Sequence, residues 1–513
     1  MRVLLVRPPR LTWDHLHLNE DSNNILSLGF PCLAAKVRQD LPEVQTTILD
    51  CNVEKMGWSS LERYIRENRF DVVGLGSETV YVYADRQVLY WLKKYHPETQ
   101  VVAGGVHYAF NTHDLFADDL ARFIVRGEGE ITFVELLKQM MSTNPDYDSV
   151  KGMIWKDDNG QIHDTGWRKL VENLDDLPMP AYDMVPTEKY CKVSMFWHDG
   201  ITIEHGRGCT HGCKFCTFWT QGARWRQNDE GIWKPKPYYR TKSVERTVEE
   251  VELLLNKYNK GFLFFVDGTF ELDVDWTDRF FDEILRRDLK VAFWTFSRID
   301  KLLECEKNGT LAKGVRAGWR FLLMGVEHTD KQILSYFHKP SETADQAKQL
   351  IKLIHRKYPL LVTMATYVGG APDDDKKSMT RLYKYAKDLS VDVTTLHFMA
   401  PMPGSALHAE MKEEGLLKVF DYTRYSWFEP VMATRHMSIE ELDNFWTPKM
   451  VLVNMSHPVQ KFIRMFIGDK HTRRMMRVGF LMYARYLKKL FVQLFRESGS
   501  RFRSFVKPAW YDT

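Results

Sequence analysis

The sequence predicts an α/β fold whose first third is a doubly wound parallel sheet. Short apolar, β-rich runs alternate with helical patterns through residue 141, and nearly every run ends in glycine or another small residue. Buried strands separated by helices are the signature of a parallel sheet covered on both faces. In chain order, Val3–Val6 is a short strand followed by a proline-rich loop, and 27–39 reads as a helix. A strand at 44–50 and a helix at 60–68 come next. Three further β-rich runs, 71–77, 100–105 and 122–130, are separated or followed by helices at 84–95 and 131–141. Ligands of such sheets sit beyond the carboxyl ends of the strands. Those ends are Pro8–Pro9, Gly76–Ser77, Gly104–Gly105 and Gly127–Glu128–Gly129, an edge on which glycines let a bulky ligand approach the backbone. No GxGxxG opens a helix after the first strand, so the dinucleotide fingerprint is absent.

Composition narrows the function. At 513 residues, 44% hydrophobic and 27% charged, the chain is ordinary globular protein with room for two to four domains. The net charge of +3 conceals an asymmetry: residues 456–513 hold thirteen Lys and Arg against Asp469, Glu497 and Asp512, leaving the first 455 residues about −7. A uniformly basic nucleic-acid binder is excluded. Neither a membrane-spanning run nor a secretory signal is expected, and seven cysteines, three of them crowded between 209 and 216, do not make a disulfide framework. A reducing cytoplasm is the expected location. The expected organisation is 1–169 as the doubly wound domain, 170–195 as a proline-rich linker, 196–430 as a second α/β domain and 431–513 as a helical basic region.

After a strand-like ITIEH at 201–205 comes GRGCTHGCKFC. Cys209, Cys213 and Cys216, spaced CxxxCxxC, cannot all pair with one another but can ligate three irons of one cubane, leaving the fourth iron open to a chelating ligand. Structural zinc with His211 is the alternative; it strains the loop and lacks a second CxxC pair. Cys32, Cys51, Cys191 and Cys305 are isolated, as buried small apolar residues are.

CTHGCKFC, with an aromatic at Phe215, resembles the cluster loop of the radical SAM superfamily, and supporting motifs follow in that family's order. FFVDGTFELD at 264–273 is similar to the second-strand motif, with Gly268 in place of a second aspartate. FWTFSRID, FLLMGVEH, TYVGGAPDD and HFMAPMPGSALHAE resemble the following strand ends, although Ala371 interrupts the usual Gly-Pro order. The first 190 residues resemble the cobalamin-binding-type domain fused to such barrels. The resemblance implies a partial (β/α)6 barrel with a [4Fe-4S] cluster on the three cysteines. It implies S-adenosylmethionine held near Phe215, Asp267, Arg298 and Glu327, and cobalamin at the edge formed by Ser77, Gly104, Gly105, Gly127 and Glu128. The DxHxxG loop that supplies an axial histidine to cobalt elsewhere is missing, and His107 is not expected to replace it.

That resemblance implies a radical enzyme with an external electron donor, such as flavodoxin or ferredoxin, and a small apolar substrate. Methyl transfer is the first reading. An oxidative or cyclising reaction, as in the anaerobic magnesium-protoporphyrin monomethyl ester cyclase, is the second, and a non-catalytic iron–sulfur electron carrier the third. No catalytic acid or base stands out in the sequence, and no nucleic-acid partner is expected. The aromatic stretch 217–240, with Trp219, Trp225, Trp233, Tyr238 and Tyr239, either walls a substrate site or packs on the first domain. Finally, Ser438 and Glu441 make a capping box before a helix that Pro448 interrupts. A basic amphipathic pattern at 472–496 suits peripheral membrane contact through 457–513, or packing on the barrel.

Overall fold

A computed structural model describes residues 1–9, 25–76, 78–190, 200–477 and 480. Two sheets organise the chain. The first has the order β2-β1-β3-β4-β5-β6-β7. Its strands are β1 Arg2–Arg7, β2 Gln45–Asp50, β3 Val72–Gly76, β4 Gln100–Gly104, β5 Phe123–Val125, β6 Met153–Lys156 and β7 Ile162–Asp164. The first five pair in parallel; helices Gly29–Asp40, Trp58–Glu67 and Val82–Tyr95 connect the first four, and helix Glu130–Met141 follows β5. Because β1 lies between β2 and β3, the winding reverses beside β1, where the ends of neighbouring connections part and leave a crevice.

The last two strands are a finding the sequence reading missed. β5–β6 and β6–β7 are antiparallel, so a hairpin extends the parallel sheet at one edge. Its turn, Asp157–Asp158–Asn159–Gly160 with Gly160 at φ +82°, carries turn chemistry that was open to sequence inspection. The stretch read as a linker is packed. Leu174, Ala181 and Tyr182 are buried, and the Tyr182 hydroxyl donates to Glu250 (2.7 Å) and to the Thr202 carbonyl (3.2 Å).

The second sheet is all parallel, in the order β17-β16-β15-β14-β13-β8. The strands are β8 Gly200–Ile203, β13 Phe262–Phe265, β14 Ala292–Ser297, β15 Trp319–Glu327, β16 Val362–Gly369 and β17 Val393–Phe398. Two ribbons lie between β8 and β13 in sequence: β9 Gly206–Cys209 pairs antiparallel with β12 Tyr238–Thr241, and β10 Arg224–Gln227 with β11 Trp233–Lys236. This is the six-stranded open barrel. Side chains alternate along its strands. Leu263, Phe265 and Phe293 pack outward with Phe270 of the following loop, Phe280 of the helical layer and Trp319 at the start of β15, while Phe262, Phe264, Trp294 and Phe321 point the other way and fill the barrel base.

Met465, Met475 and Met476 close that base from the C-terminal region. The Ser438–Glu441 capping box is present, with both reciprocal hydrogen bonds. Its helix, however, does not stop at Pro448 but runs from Ile439 to Leu452. Buried Trp446, whose indole donates to the His397 carbonyl at 3.1 Å, anchors it against β17 through the proline. Residues 470–477 are helical; the remainder of the 472–496 pattern lies outside the described residues apart from Phe480. No described helix is long and apolar enough to cross a membrane.

Candidate functional site

The carboxyl ends of the first sheet frame a cavity of about 380 Å³. Arg7 and Pro8 at the end of β1, Gly76 at the end of β3, Gly104 and Gly105 at the end of β4, and Gly127, Glu128 and Gly129 after β5 line it. Ser77 lies outside the described residues. The bare edge is built in: a Cβ on Gly76 would stand 3.1 Å from the Phe30 ring, and one on Gly129 3.2 Å from Leu33. Gly105 and Gly127 hold φ of +85° and +69°, where a side chain is strained. Asp85, buried on the same wall, keeps one carboxylate oxygen without a hydrogen-bond partner, and burial holds its carboxyl well above the usual range. Cys32, read as an isolated apolar residue, lines the cavity too.

The opposite wall comes from the second sheet's entry: Glu204, Arg207, Gly208, Phe218, Gln221 and Gly222. Arg207 ties the walls together. Its guanidinium reaches Glu130 (2.7 Å) and Glu128 (3.8 Å) of the first domain and Glu204 (2.7 Å) of the second. Glu128 also pairs with Arg240 on β12. Buried charges of this kind persist only when paired and hydrogen-bonded, which locks the relative placement of the two domains. The aromatic stretch adds to the junction. Trp225 stacks on Trp167 with ring centroids 4.0 Å apart, both rings meet Phe110, and Tyr238 donates to Glu172 at 2.6 Å. Of the two readings of 217–240, these rings take the packing one.

The three cysteines follow Arg207 on the loop after β9 begins. Gly208, at φ +83°, has no room for a Cβ, which would fall 2.1 Å from the Tyr238 carbonyl oxygen. Cys213 is buried and Cys209 and Cys216 are half-buried; none is in a disulfide. Burial pushes the Cys216 thiol up to about 11, opposed by the amides of Trp219 and Phe218 at the start of a short helical turn. Burial also raises Cys213, while Lys339 and Arg298 pull it down and Glu327 raises it. Lys339, Glu327 and Arg298 therefore stand around the cysteine loop. The His211 ring lies 3.1 Å from the Thr210 hydroxyl. Three thiols on one short loop, none in a disulfide, are a donor set that fits a cluster spread over several irons.

Each residue singled out beside the cysteines takes a defined place. Phe215 packs edge-on against Phe337, centroids 5.2 Å apart. Glu327 ends β15 at φ +64° and pairs with Lys339 at 2.8 Å; a Cβ on Gly325 would lie 2.2 Å from its carboxylate, which explains the Gly-x-Glu spacing. Arg298 follows β14 directly and pairs with Asp300 at 3.0 Å. Asp267 is buried at the root of the loop, where one oxygen accepts the amides of His205 and Gly206 and lies 2.9 Å from His205 Nδ1. It holds the start of the loop. Gly268, the departure from the second-strand motif, makes room for Phe218, whose ring would be 2.7 Å from a Cβ there. At the Ala371 departure, Asp374 accepts the amides of Gly370 and Ala371, closing the turn by a side chain. His107 is fully buried, 3.4 Å from Thr79 and edge-on to Tyr422, and is not on the cavity wall.

Two titratable groups escaped the sequence reading. His397 lies at the carboxyl end of β17, and burial pushes it down to about 4, against Glu327, so it is neutral at physiological pH. Glu271 is fully buried; one oxygen accepts the Arg298 amide at 2.6 Å, the other has no hydrogen-bond partner, and burial pushes its carboxyl up to about 7. The folded protein binds that proton more tightly than the unfolded chain does. Stability from Glu271 is therefore complete below about pH 4.5 and lost as pH rises to about 7, a swing of roughly 3 kcal/mol. Glu271→Gln is expected to keep the Arg298 bond, raise Tm at pH 8 and flatten the decline between pH 5 and 7 in thermal melts; an unchanged slope refutes the assignment.

Two family models match parts of the chain. Residues 203–383 match the radical SAM superfamily, and residues 19–137 match the B12 binding domain. The chain carries both domains, one on each wall of the cavity. The radical SAM domain implies a [4Fe-4S] cluster and S-adenosylmethionine, and the B12-binding domain implies cobalamin. An uncharacterized methyltransferase of Pyrococcus horikoshii is 27% identical over 86% of this chain and 90% of its own length. The anaerobic magnesium-protoporphyrin IX monomethyl ester cyclase of Rubrivivax gelatinosus is 26% identical over 72% of this chain and 63% of its own. In structure, the radical S-adenosylmethionine methyltransferase TsrM from Kitasatospora setae superposes with a TM-score of 0.67 at 15% identity, covering 96% of this chain and 99% of that one, which shows the shared fold.

Proposed function

We propose that the protein is a cobalamin-dependent radical SAM methyltransferase acting on an unactivated carbon of a small, apolar substrate. The observation that carries this is the shared cavity: the glycine edge of the B12-binding domain and the strand leading into the cysteine loop face each other across one space. When bound, the cluster and S-adenosylmethionine supply a carbon-centred radical oxidant, and cobalamin supplies a transferable methyl group.

Cys209, Cys213 and Cys216 would hold the cluster. Phe215 and Glu327 would hold S-adenosylmethionine beside it, with Arg298 and Lys339 balancing charge around the loop. Gly104, Gly105, Gly127 and Glu128 would cradle the corrinoid, and among the described residues of the wall there is no histidine. Arg207 orients the two domains, and the Trp167–Trp225 stack helps keep water from the junction. One-electron reduction of the cluster calls for an external donor of the flavodoxin or ferredoxin type.

The cyclase-like reading keeps its place because of the Rubrivivax relative, and isotope labelling separates the two. With S-adenosylmethionine carrying a deuterated methyl group, methyl transfer is expected to yield a labelled product together with both S-adenosylhomocysteine and 5′-deoxyadenosine. 5′-Deoxyadenosine alone, with no label in the product, would refute methyl transfer in favour of oxidation or cyclisation. Mass spectrometry of anaerobic reactions with cell-extract metabolites supplies the readout.

A further inference from the structure

The end of the described chain turns apolar side chains outward. Sixteen large hydrophobic side chains are exposed among the described residues, and eight of them fall between 452 and 480. Val459 is 71% exposed, Phe466 58% and Phe462 55%, and the rings of Phe462 and Phe466 stand 5.2 Å apart, so these side chains adjoin. Ile463 and Ile467 follow at helical spacing. Scattered apolar residues on a surface need no explanation, but an adjoining set of this kind marks a contact site.

The segment cannot turn that face onto the barrel, because its other side is already engaged. Arg464 donates to Asp392 (3.0 Å) and to the Leu361 carbonyl (2.5 Å), Thr472 donates to the Leu360 carbonyl (2.7 Å), and Arg320 pairs with Asp469 (2.6 Å). Met465, Met475 and Met476 are buried under the barrel. Around the outward face the charge is basic. Lys470 and Arg477 are exposed, Arg473 and Arg474 are half-buried, and the Arg477 guanidinium lies 5.6 Å from the Phe466 ring centroid. Asp469 is the only acid between 452 and 480.

We propose that this face is the protein's contact with an anionic lipid surface, its aliphatic and phenyl side chains among the acyl chains and its cations on the headgroups. Charge complementarity selects the occupant. A second copy would bring the same basic face against itself. Residues 481–513 carry seven Lys and Arg against Glu497 and Asp512, so they too would place like charge on like charge. Single-stranded RNA would match the charge but leave Val459, Ile463 and Ile467 in water. The face lies at the base of the barrel, the opposite end from the cysteine loop, so it anchors the protein with the cavity turned away from the bilayer. The inference is therefore independent of the reaction proposed above.

Sedimentation of the full chain with vesicles tests it. The protein is expected to bind vesicles of phosphatidylglycerol and phosphatidylcholine, to bind phosphatidylcholine alone weakly, and to release as salt rises. Each cation near an anionic surface contributes about fivefold in partition before screening. The variant V459E/F462E is expected to partition at least about tenfold less, with an unchanged thermal melt because both side chains are exposed; V459L/F462L retains binding. Equal binding to neutral vesicles, or undiminished binding by V459E/F462E, overturns the proposal. A dimer in sedimentation velocity that V459E/F462E dissolves while no vesicle binding is seen overturns it in favour of a second copy, and tighter binding to an RNA oligomer than to vesicles overturns it in favour of nucleic acid.

Discussion

Replacing Cys209, Cys213 or Cys216 with alanine is expected to abolish cleavage of S-adenosylmethionine and to take iron at this site from about four per chain to near none. The three cysteines share one short loop, and each surrounding support acts on that loop alone. Asp267 holds its first amides, Gly208 passes under the Tyr238 carbonyl, and the His338 ring lies 3.1 Å from the Gly212 carbonyl. Among the described residues no fourth cysteine stands in reserve: Cys51 and Cys305 are buried elsewhere, and Cys32 sits on the far wall of the cavity. Cys305→Ala, in the helical layer of the barrel, is the control and is expected to leave iron content and cleavage intact. Iron analysis and the 5′-deoxyadenosine yield of anaerobic, reconstituted protein check both halves. Stoichiometric zinc with full activity would refute the cluster assignment.

Gly104→Leu should separate the two cofactors. Gly104 has extended backbone, φ −162°, which any residue adopts, and a Cβ there makes only ordinary contact, 3.5 Å from the Val125 carbonyl oxygen. The fold should therefore tolerate leucine. The rest of the side chain has to enter the cavity, where overpacking costs about 1–3 kcal/mol, so corrinoid affinity is expected to fall roughly 10- to 100-fold. Iron content and S-adenosylmethionine cleavage, set on the opposite wall, are expected to stay near wild type while methylated product disappears. Cobalt retained after gel filtration gives the readout. Equal cobalt in wild type and G104L would mean that the glycine edge has another ligand.

How much of this was legible before the fold depends on distance along the chain. The three cysteines, the glycine-ended strands and the Ser438–Glu441 box are local patterns, and local patterns survive translation into structure. The β6–β7 hairpin was legible too, through its Asp-Asp-Asn-Gly turn, but its short strands at a sheet edge carry a weaker apolar signal than the buried parallel ones. Pro448 misled because propensity yields to packing: Trp446 is worth more to the helix than the missing amide costs.

By itself, then, the sequence determined which groups could bind iron, where the sheets would present bare backbone, and in what order the two α/β units come. Those properties depend on residues within a few positions of one another and on periodicity. Only the tertiary structure decided that the two units face each other across one cavity. Arg207 finds Glu130 across 77 positions and Arg240 finds Glu128 across 112, and Trp225 of the aromatic stretch stacks on Trp167 while Phe218 of the same stretch lines the cavity. The roles of Asp267 and Glu271 were decided there as well. A carboxylate's identity is written in the sequence, but its partner, its burial and hence its proton depend on which strand ends the sheet order brings together.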